Sequence, residues 1–409
     1  MAIRITKQAE TYLEALAKAL EIPPSRYEQA ENSYKSLGDW FHRDDSSIRD
    51  FDPDVFVQGS FRLGTVTKPQ SKDEEYDVDS GCSLTYLDKS KLSQANLKEL
   101  LGKEIKLYRK SRGITKEVHE GRRCWRLDYA DGAQFHMDIV PCIPNGLDQR
   151  RILEDKNLDA RFADTAIAIT DNEVLPQYLQ ITNDWPRSNP RGYAEWFKSR
   201  MGDVFLRQRE QVFNEMRNKG ITANVEDIPT YRVRTPLQSA IMILKRHRDV
   251  MFENDPTNKP ISIILTTLAA HAYHGENTIG YTLLSILSRM EDAIEHDGQK
   301  FIIKNPTDAL ENFADKWHEH PERAQAFFFW LEQARKDFLE VGVLVEHQRM
   351  SSILENRMGH GLTEQIGNSI FQSTGPGTSS LLSAATAASS PRVSFSDEPR
   401  TPKKPDGFA

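Results

Sequence analysis

The spacing of apolar residues predicts helices at the start of the chain. In TKQAETYLEALAKALEI, Tyr12, Leu13, Leu16 and Leu20 fall on one helical face. After Pro23 and Pro24, Tyr27, Tyr34, Leu37 and Phe41 repeat at threes and fours. From Val55 the period changes to that of strands. DVFVQGS, EYDVDSGCSL, RRCWRLDYA and AQFHMDIVPCIP alternate or run apolar over short lengths, with Asp131-Gly132 as a hairpin-like turn between the last two. Helical spacing returns after about Asn183. Thr235-Pro236 is a helix start leading into LQSAIMILKRHRDVMF, and ISIILTTLAAHAY, YTLLSILSRMEDAI and PERAQAFFFWLEQARKDFLEVG continue the pattern. From about Ser373 large apolar groups give way to Ser, Thr, Ala, Gly and Pro, a composition that buries too little surface to offset the entropy of ordering. These patterns predict an α+β protein: a mixed-sheet part within residues 1–182, a mainly helical part over 183–372, and a disordered tail over 373–409.

Composition narrows the class of partner. The 409 residues are 38% hydrophobic and 28% charged, as in a folded soluble protein. The longest apolar run is too short to span a bilayer and the N-terminus has no apolar leader, so the expectation is a cytoplasmic protein with no membrane contact. A formal charge of −7 argues against coating long nucleic acid through a global basic field, while leaving room for a local basic pocket. Cys82, Cys124 and Cys142 show no CxxC spacing and read as buried thiols.

The carboxylates carry the candidate chemistry. Strand residues two apart share a face, so Asp77 and Asp79 in YDVDS can converge on one point. Two such carboxylates repel unless a cation lies between them, and hard oxygen ligands suit Mg²⁺ or Mn²⁺ bound partly through substrate phosphates. Asp138, in the strand-like HMDIVP where His136 and Asp138 alternate with Met137 and Ile139, can complete a two-metal site from a neighbouring strand. Asp128 in RLDYA is a weaker rival. Upstream, Gly59 and Ser60 form a small turn: the glycine can adopt φ > 0, so backbone N–H groups and the Ser60 hydroxyl can approach a phosphate. No P-loop and no dinucleotide fingerprint is present. Lys245, Arg246 and Arg248 crowd one predicted helix. Lys245 is the best-placed point charge for a polyphosphate, with Arg246 and Arg248 expected to be solvated. Arg62 reads as a surface arginine within reach of an acceptor nucleotide. His271 and His274 lack a third ligand, and Phe327, Phe328, Phe329 and Trp330 read as core.

In order along the chain, QGSFRLGTVTKP, YDVDSG and HMDIVPCIP resemble the catalytic core of the polymerase-β-like nucleotidyltransferases, and WPRSNPRGYAEWF, ILKRHRD, PISIILTTLAA and NPTDALENFADKW extend the likeness from about Arg26 to Glu346. The chain is most similar to the bacterial cyclic-GMP-AMP-synthase-like nucleotidyltransferases, the CD-NTases of CBASS antiphage defence. That resemblance implies a bilobal fold in which Asp77, Asp79 and Asp138 hold two Mg²⁺ (Mn²⁺ substituting), with Asp138 beside the attacking ribose hydroxyl. It implies that Gly59 and Ser60 bind the donor triphosphate, that Lys245 contacts it, and that Ser262 contacts a nucleotide, although Ser262 is equally placed to cap the helix after Pro260. The implied activity joins ATP, GTP or other ribonucleotides into a cyclic di- or trinucleotide, of cyclic GMP-AMP type as the first expectation, to activate a downstream effector. The ending Gly407-Phe408-Ala409 resembles those of CD-NTases served by ubiquitin-transfer-like E1-E2 proteins, with the Ala409 carboxylate as the conjugated group. A linear RNA or protein nucleotidyltransferase and a catalytically silent scaffold are the competing expectations.

Overall fold

The computed structural model describes residues 4–70, 75–129, 135–218 and 232–374. The chain divides into two compact units, Met1–Gly367 and Asn368–Ala409. The Asp131-Gly132 turn and nearly all of the tail, including Ala409, lie outside the described residues.

Within the first unit, α1 (Lys7–Ala19) and α2 (Pro24–Phe41) precede β1 (Pro53–Val57), the short α3 (Gly59–Leu63) and β2 (Tyr76–Leu84). Next come α4 (Gln94–Ser111), β3 (His119–Glu120), β4 (Trp125–Asp128), β5 (Phe135–Pro144), α5 (Gly146–Glu154), β6 (Ile167–Ile169) and β7 (Arg187–Ser188). The first seven strands form one mixed sheet: β1 is antiparallel to β2, β2 parallel to β5, and β5 antiparallel to β4 and, at its other end, to β6. All four sequence-predicted strands contribute to it.

Alternation decides what each face does. Val78, Leu127, Met137 and Ile139 point to a buried face and are fully excluded from solvent. There they join Leu97, Leu101, Ile105 and Tyr108 of α4, whose apolar residues follow helical spacing between the strands that flank it. The opposite face carries Asp77, Asp79, Arg126, Asp128, His136 and Asp138.

The helical part begins with α6 (Pro190–Asn218), kinked at Gly202, and continues with α7 (Pro236–Met251), α8 (Ser262–Ala272) and α9 (Ile279–Arg289). Strands β8 (Glu295–His296), β9 (Phe301–Ile302), β10 (Lys304–Asn305) and β11 (Asp308–Asn312) form two small hairpins before α10 (Lys316–Glu319), α11 (Pro321–Val343), α12 (His347–Met358) and α13 (His360–Thr374). The second hairpin, β10–β11, runs into the NPTDALENFADKW stretch and the first, β8–β9, precedes it, both within the mainly helical part. None of the described helices is long and apolar enough to cross a membrane.

α1 packs with the helices of this later part, against α7, α9, α11 and α12. The Glu10 carboxylate accepts the N–H groups of Ile279 (2.7 Å) and Gly280 (2.9 Å), so a residue of the first helix caps the start of α9. Phe327 and Trp330 are buried, as expected of core, whereas Phe329 is exposed. His271 and His274 are both exposed. Cys82 and Cys142 are buried and Cys124 half-buried.

Candidate active site

Strand register brings the carboxylates together. In the parallel β2–β5 ladder Asp77 lies opposite His136 and Asp79 opposite Asp138; in the antiparallel β4–β5 ladder Arg126 lies opposite Asp138 and Asp128 opposite His136. Ligand atoms of Asp77, His136 and Asp138 fall within 4.8 Å of one another, as do those of Glu75, Asp128 and His136. Arg126 donates from Nε and Nη2 to the two oxygens of Asp138 at 2.9 and 3.0 Å. His136 Nε2 pairs with Asp77, and its Nδ1 lies 3.4 Å from Glu75.

Asp77 and Asp79 feel different fields. The hydrogen bond to His136, aided by the charges of His136 and Arg126, holds the Asp77 carboxyl below its ordinary value. Burial, reinforced by the negative charges of Asp77 and Asp138, pushes Asp79 up to about 6. A buried carboxyl under two neighbouring carboxylates is relieved by a bound cation, and this oxygen-rich set with one imidazole fits a divalent ion of the Mg²⁺ or Mn²⁺ kind.

Gly59 sits against Asp79. Its φ is +61°, and a Cβ placed there would lie 2.1 Å from Asp79 Oδ2. The Gly-Ser pair opens α3 rather than forming an isolated turn, and the glycine is demanded by the carboxylate behind it as much as by any phosphate in front.

α7 supplies the opposite wall. A capping box starts it: Gln238 N donates to Thr235 Oγ1 and Thr235 N donates to Gln238 Oε1. Gln238 Nε2 donates to Leu63 O at 2.9 Å, Lys245 Nζ to Thr65 O and Oγ1 at 3.2 Å, and Arg246 Nη2 to Lys68 O. On the far side of α7, Trp330 Nε1 donates to His247 Nδ1 at 3.1 Å and His247 Nε2 meets Asp337 at 3.0 Å, which fixes the helix's rotation. Burial beside Arg248 lowers Lys245 to about 8.

Arg246 and Arg248, expected in solvent, are instead buried, at 6% and 4% exposure. α7 is packed by α1, α8, α9, α11 and α12, and both arginines sit in the cavity wall with their donors on backbone carbonyls rather than in open solvent. Arg248 Nη1 donates to Pro260 O (2.9 Å) and Ser262 Oγ (3.0 Å), and its other nitrogens reach Asp249. Ser262 does not cap α8: Ile261 holds the cap position and makes no side-chain cap bond, while the Ser262 hydroxyl accepts from Arg248.

Gly59, Ser60, Asp77, Asp79, Lys245 and Ser262 all line one cavity of about 390 Å³. Thr65, Lys68, Glu75, Arg246, Arg248 and Asp249 also line it, residues that sequence reasoning left without a role there. Asp138 is held by Arg126 beside the cavity, outside its lining. Arg62 faces a separate cavity behind α3. Arg126 was missed because pairing across strands cannot be read from one strand's sequence.

Residues 53–141 match the family model for the nucleotidyltransferase domain of cyclic GMP-AMP synthase DncV-like proteins. The chain is 28% identical over 344 residues to a c-di-GMP synthase of Roseivirga ehrenbergii, covering 82% of this chain and 81% of that protein. It is 24% identical over 324 residues to the cyclic dinucleotide synthase CdnG of Bradyrhizobium diazoefficiens, covering 76% and 70%. The solved structure of that CD-NTase CdnG, in complex with GTP, superimposes with a TM-score of 0.65 at 20% identity over 88% of this chain and 99% of the other. Domain match, fold and the order of the carboxylate-bearing strands agree: residues 53–141 form a nucleotidyltransferase domain of the DncV-like kind, and the chain as a whole is similar in sequence and fold to CD-NTases that make cyclic dinucleotides.

Proposed function

We propose that this chain is a cyclic dinucleotide synthase that uses GTP, alone or with ATP, in antiphage signalling. The observation that carries the reading is the single cavity ringed by Gly59, Ser60, Asp77, Asp79, Lys245 and Ser262. In this reading residues 1–182 supply the carboxylates and the phosphate turn, and residues 183–372 supply Lys245 and Ser262.

The donor triphosphate lies along Gly59 and Ser60, with the Lys245 ammonium turning from Thr65 to its phosphates. Asp77, Asp79 and Asp138 would hold two divalent ions, which when bound supply charge neutralisation for the triphosphate and its leaving group. An acceptor ribose hydroxyl attacks the donor α-phosphorus; the new O–P bond forms as the bond to the β-phosphate oxygen breaks and pyrophosphate leaves. A second such step closes the ring. Arg126 holds both oxygens of Asp138, so Asp138 orients the acceptor and the hydroxyl proton passes to solvent. Ser262, fixed by Arg248, contacts the nucleotide from the α8 side.

The name of one relative, a c-di-GMP synthase, favours cyclic di-GMP over the cyclic GMP-AMP expected from motifs. The test is incubation with labelled ribonucleotides and Mg²⁺ or Mn²⁺, phosphatase treatment and mass spectrometry, with Asp77→Asn/Asp79→Asn as control. A phosphatase-resistant product made from GTP alone supports cyclic di-GMP; one that also needs ATP supports the mixed ring. Linear, phosphatase-sensitive chains, or no product, overturn the synthase reading. Conjugation of Ala409 by an E1-E2 protein, and activation of a downstream effector by the product, complete the proposal; conjugates that persist after deletion of the last residues would remove the first.

A further inference from the structure

The chain from Leu63 to Lys68 leaves the end of α3 and runs along the catalytic cavity, with Leu63, Thr65 and Lys68 in its wall. Beyond Leu63 it belongs to no helix or strand, so its backbone groups must find partners elsewhere. Side chains from α7 and from the residue before its cap supply them: Gln238 donates to Leu63 O, Arg234 to Gly64 O, Lys245 to Thr65 O and Arg246 to Lys68 O. From the other side, Lys68 N donates to Leu20 O at 2.8 Å, in the connection between α1 and α2.

These donors divide by what they face. Lys245 and Arg246 line the cavity, and in the reaction proposed above Lys245 leaves Thr65 for the triphosphate. Arg234 and Gln238 lie outside its lining. Gln238 is fully buried, with Oε1 already accepting from Thr235 N in the capping box. Arg234 is half-buried and joins separate pieces of chain: Nε lies 3.2 Å from Glu21 Oε1, Nη2 donates to the Tyr27 hydroxyl at 2.9 Å, and Nη1 donates to Gly64 O. Gly64 has φ +66°, and a Cβ there would lie 2.5 Å from Gln238 Nε2 and 3.3 Å from Arg234 Nη1, so the two side chains fill the space a larger residue would need. Thr65 N in turn donates to Ser60 O at 2.9 Å, which ties the held end of α3 to its first turn.

We propose that Arg234 and Gln238 are positioning residues for the donor nucleotide: from outside the cavity they clamp the end of α3 and, through the bond from Thr65 to Ser60, the Gly59-Ser60 turn, so that the turn keeps its place when Lys245 moves to the phosphates. A buried carbonyl stripped of its donor is costly to leave unpaired, so the segment shifts when either bond is removed. The carboxylates are held separately, by strand register and by Arg126, so the effect falls on nucleotide binding and not on the chemical step. The role toward the nucleotide rests on the front cavity being its site; the clamp itself does not.

Hydrogen exchange on the full chain without nucleotide tests the clamp. Arg234→Gln should speed exchange over residues 59–68 by about fivefold or more and leave the β2–β5 ladder unchanged. With Mg²⁺ present, the same variant should raise the KM for GTP by about fivefold or more at a kcat within about twofold of wild type, the mark of lost uniform binding. GTP affinity by titration calorimetry, which needs no turnover, should fall by the same factor. A merely structural role would instead lower the folded fraction, and with it kcat, at constant KM. Arg234→Lys keeps a donor for Gly64 O and should recover about half or more of both losses. Gln238→Glu keeps the capping-box acceptor but not the donor to Leu63 O, and should repeat the Arg234→Gln pattern. Unchanged exchange over 59–68 overturns the clamp; a fall in kcat at unchanged KM, unchanged GTP affinity, or no recovery in Arg234→Lys overturns the positioning role. Wild-type protein that makes no product while the exchange and affinity contrasts appear sinks the synthase reading alone, and product formation without those contrasts sinks the clamp alone.

Discussion

Arg126 and Asp138 face each other across the β4–β5 ladder, and the guanidinium takes both carboxylate oxygens. The pair keeps the third carboxylate pointed at Asp77 and, at the same time, sets a positive charge beside a cation site. Removing that charge should favour divalent binding while loosening Asp138. Arg126→Gln is expected to bind Mn²⁺ about threefold or more tightly, as read by electron paramagnetic resonance, while turnover falls. Weaker Mn²⁺ binding would mean that orientation outweighs repulsion.

Asp79 carries a pH signature. Its folded pKa, about 6, lies above its ordinary 3.8, so protonation favours the fold and ionisation costs it. Relative to the protonated carboxyl, that stabilisation is full below about pH 4 and is lost as pH rises through 6. Asp79→Asn should therefore stabilise the nucleotide-free protein at pH 8 by about 1–3 kcal/mol and make little difference at pH 4. Urea unfolding at the two pH values checks this, and the same variant should lose any Mg²⁺-dependent stabilisation by GTP.

Lys245 predicts the opposite limb. With its pKa lowered to about 8, the free enzyme loses this cation between pH 7 and 9. The KM for GTP should rise over that interval, and Lys245→Met should raise it by about 10–100-fold at pH 7, as expected for a charge-assisted contact of roughly 1.5–3 kcal/mol. Lys245→Arg should flatten the alkaline rise even if its KM is poorer at pH 7, because a guanidinium does not titrate there.

Gly59 tolerates no side chain. An alanine there meets Asp79 Oδ2 and must hold φ at +61°, so Gly59→Ala should abolish GTP binding by calorimetry while leaving most secondary structure, read by circular dichroism. Near-normal binding in this variant would show that α3 can shift at little cost.

Arg248 and Ser262 should differ in scale. Ser262→Ala removes one hydroxyl and should raise KM by a few fold, at about 0.5–1.5 kcal/mol. Arg248→Gln also strands Pro260 O and Asp249, so both KM and thermal stability should suffer. If the two effects in the double variant simply add, the arginine does not act through the serine.

Much of the sheet was legible because period-two alternation in YDVDS and HMDIVP is a local property: Asp77 and Asp79 must share a face wherever the strand lies. The pairing of Asp79 with Asp138 was legible only as a possibility, since register is set between strands. Arg246 and Arg248 were misread for a similar reason. Solvation depends on what covers a helix, and the enclosure of α7 by α1, α8, α9, α11 and α12 is written far from its own residues. Arg62 reads from the sequence as a surface arginine within reach of the acceptor, two residues beyond Ser60, yet it is half-buried, and in α3 two residues are enough to turn a side chain to the other wall.

The bond from Glu10 to the start of α9 spans 269 residues. On the ribosome, α1 emerges long before α9, α11 and α12 exist, and at about 5–20 residues per second it waits on the order of tens of seconds with its apolar stripe uncovered. Synthesis of this protein therefore includes an interval in which its first helix is exposed to whatever holds nascent chains, and a bulky N-terminal fusion would lengthen the search by which Glu10 finds its late-arriving partner.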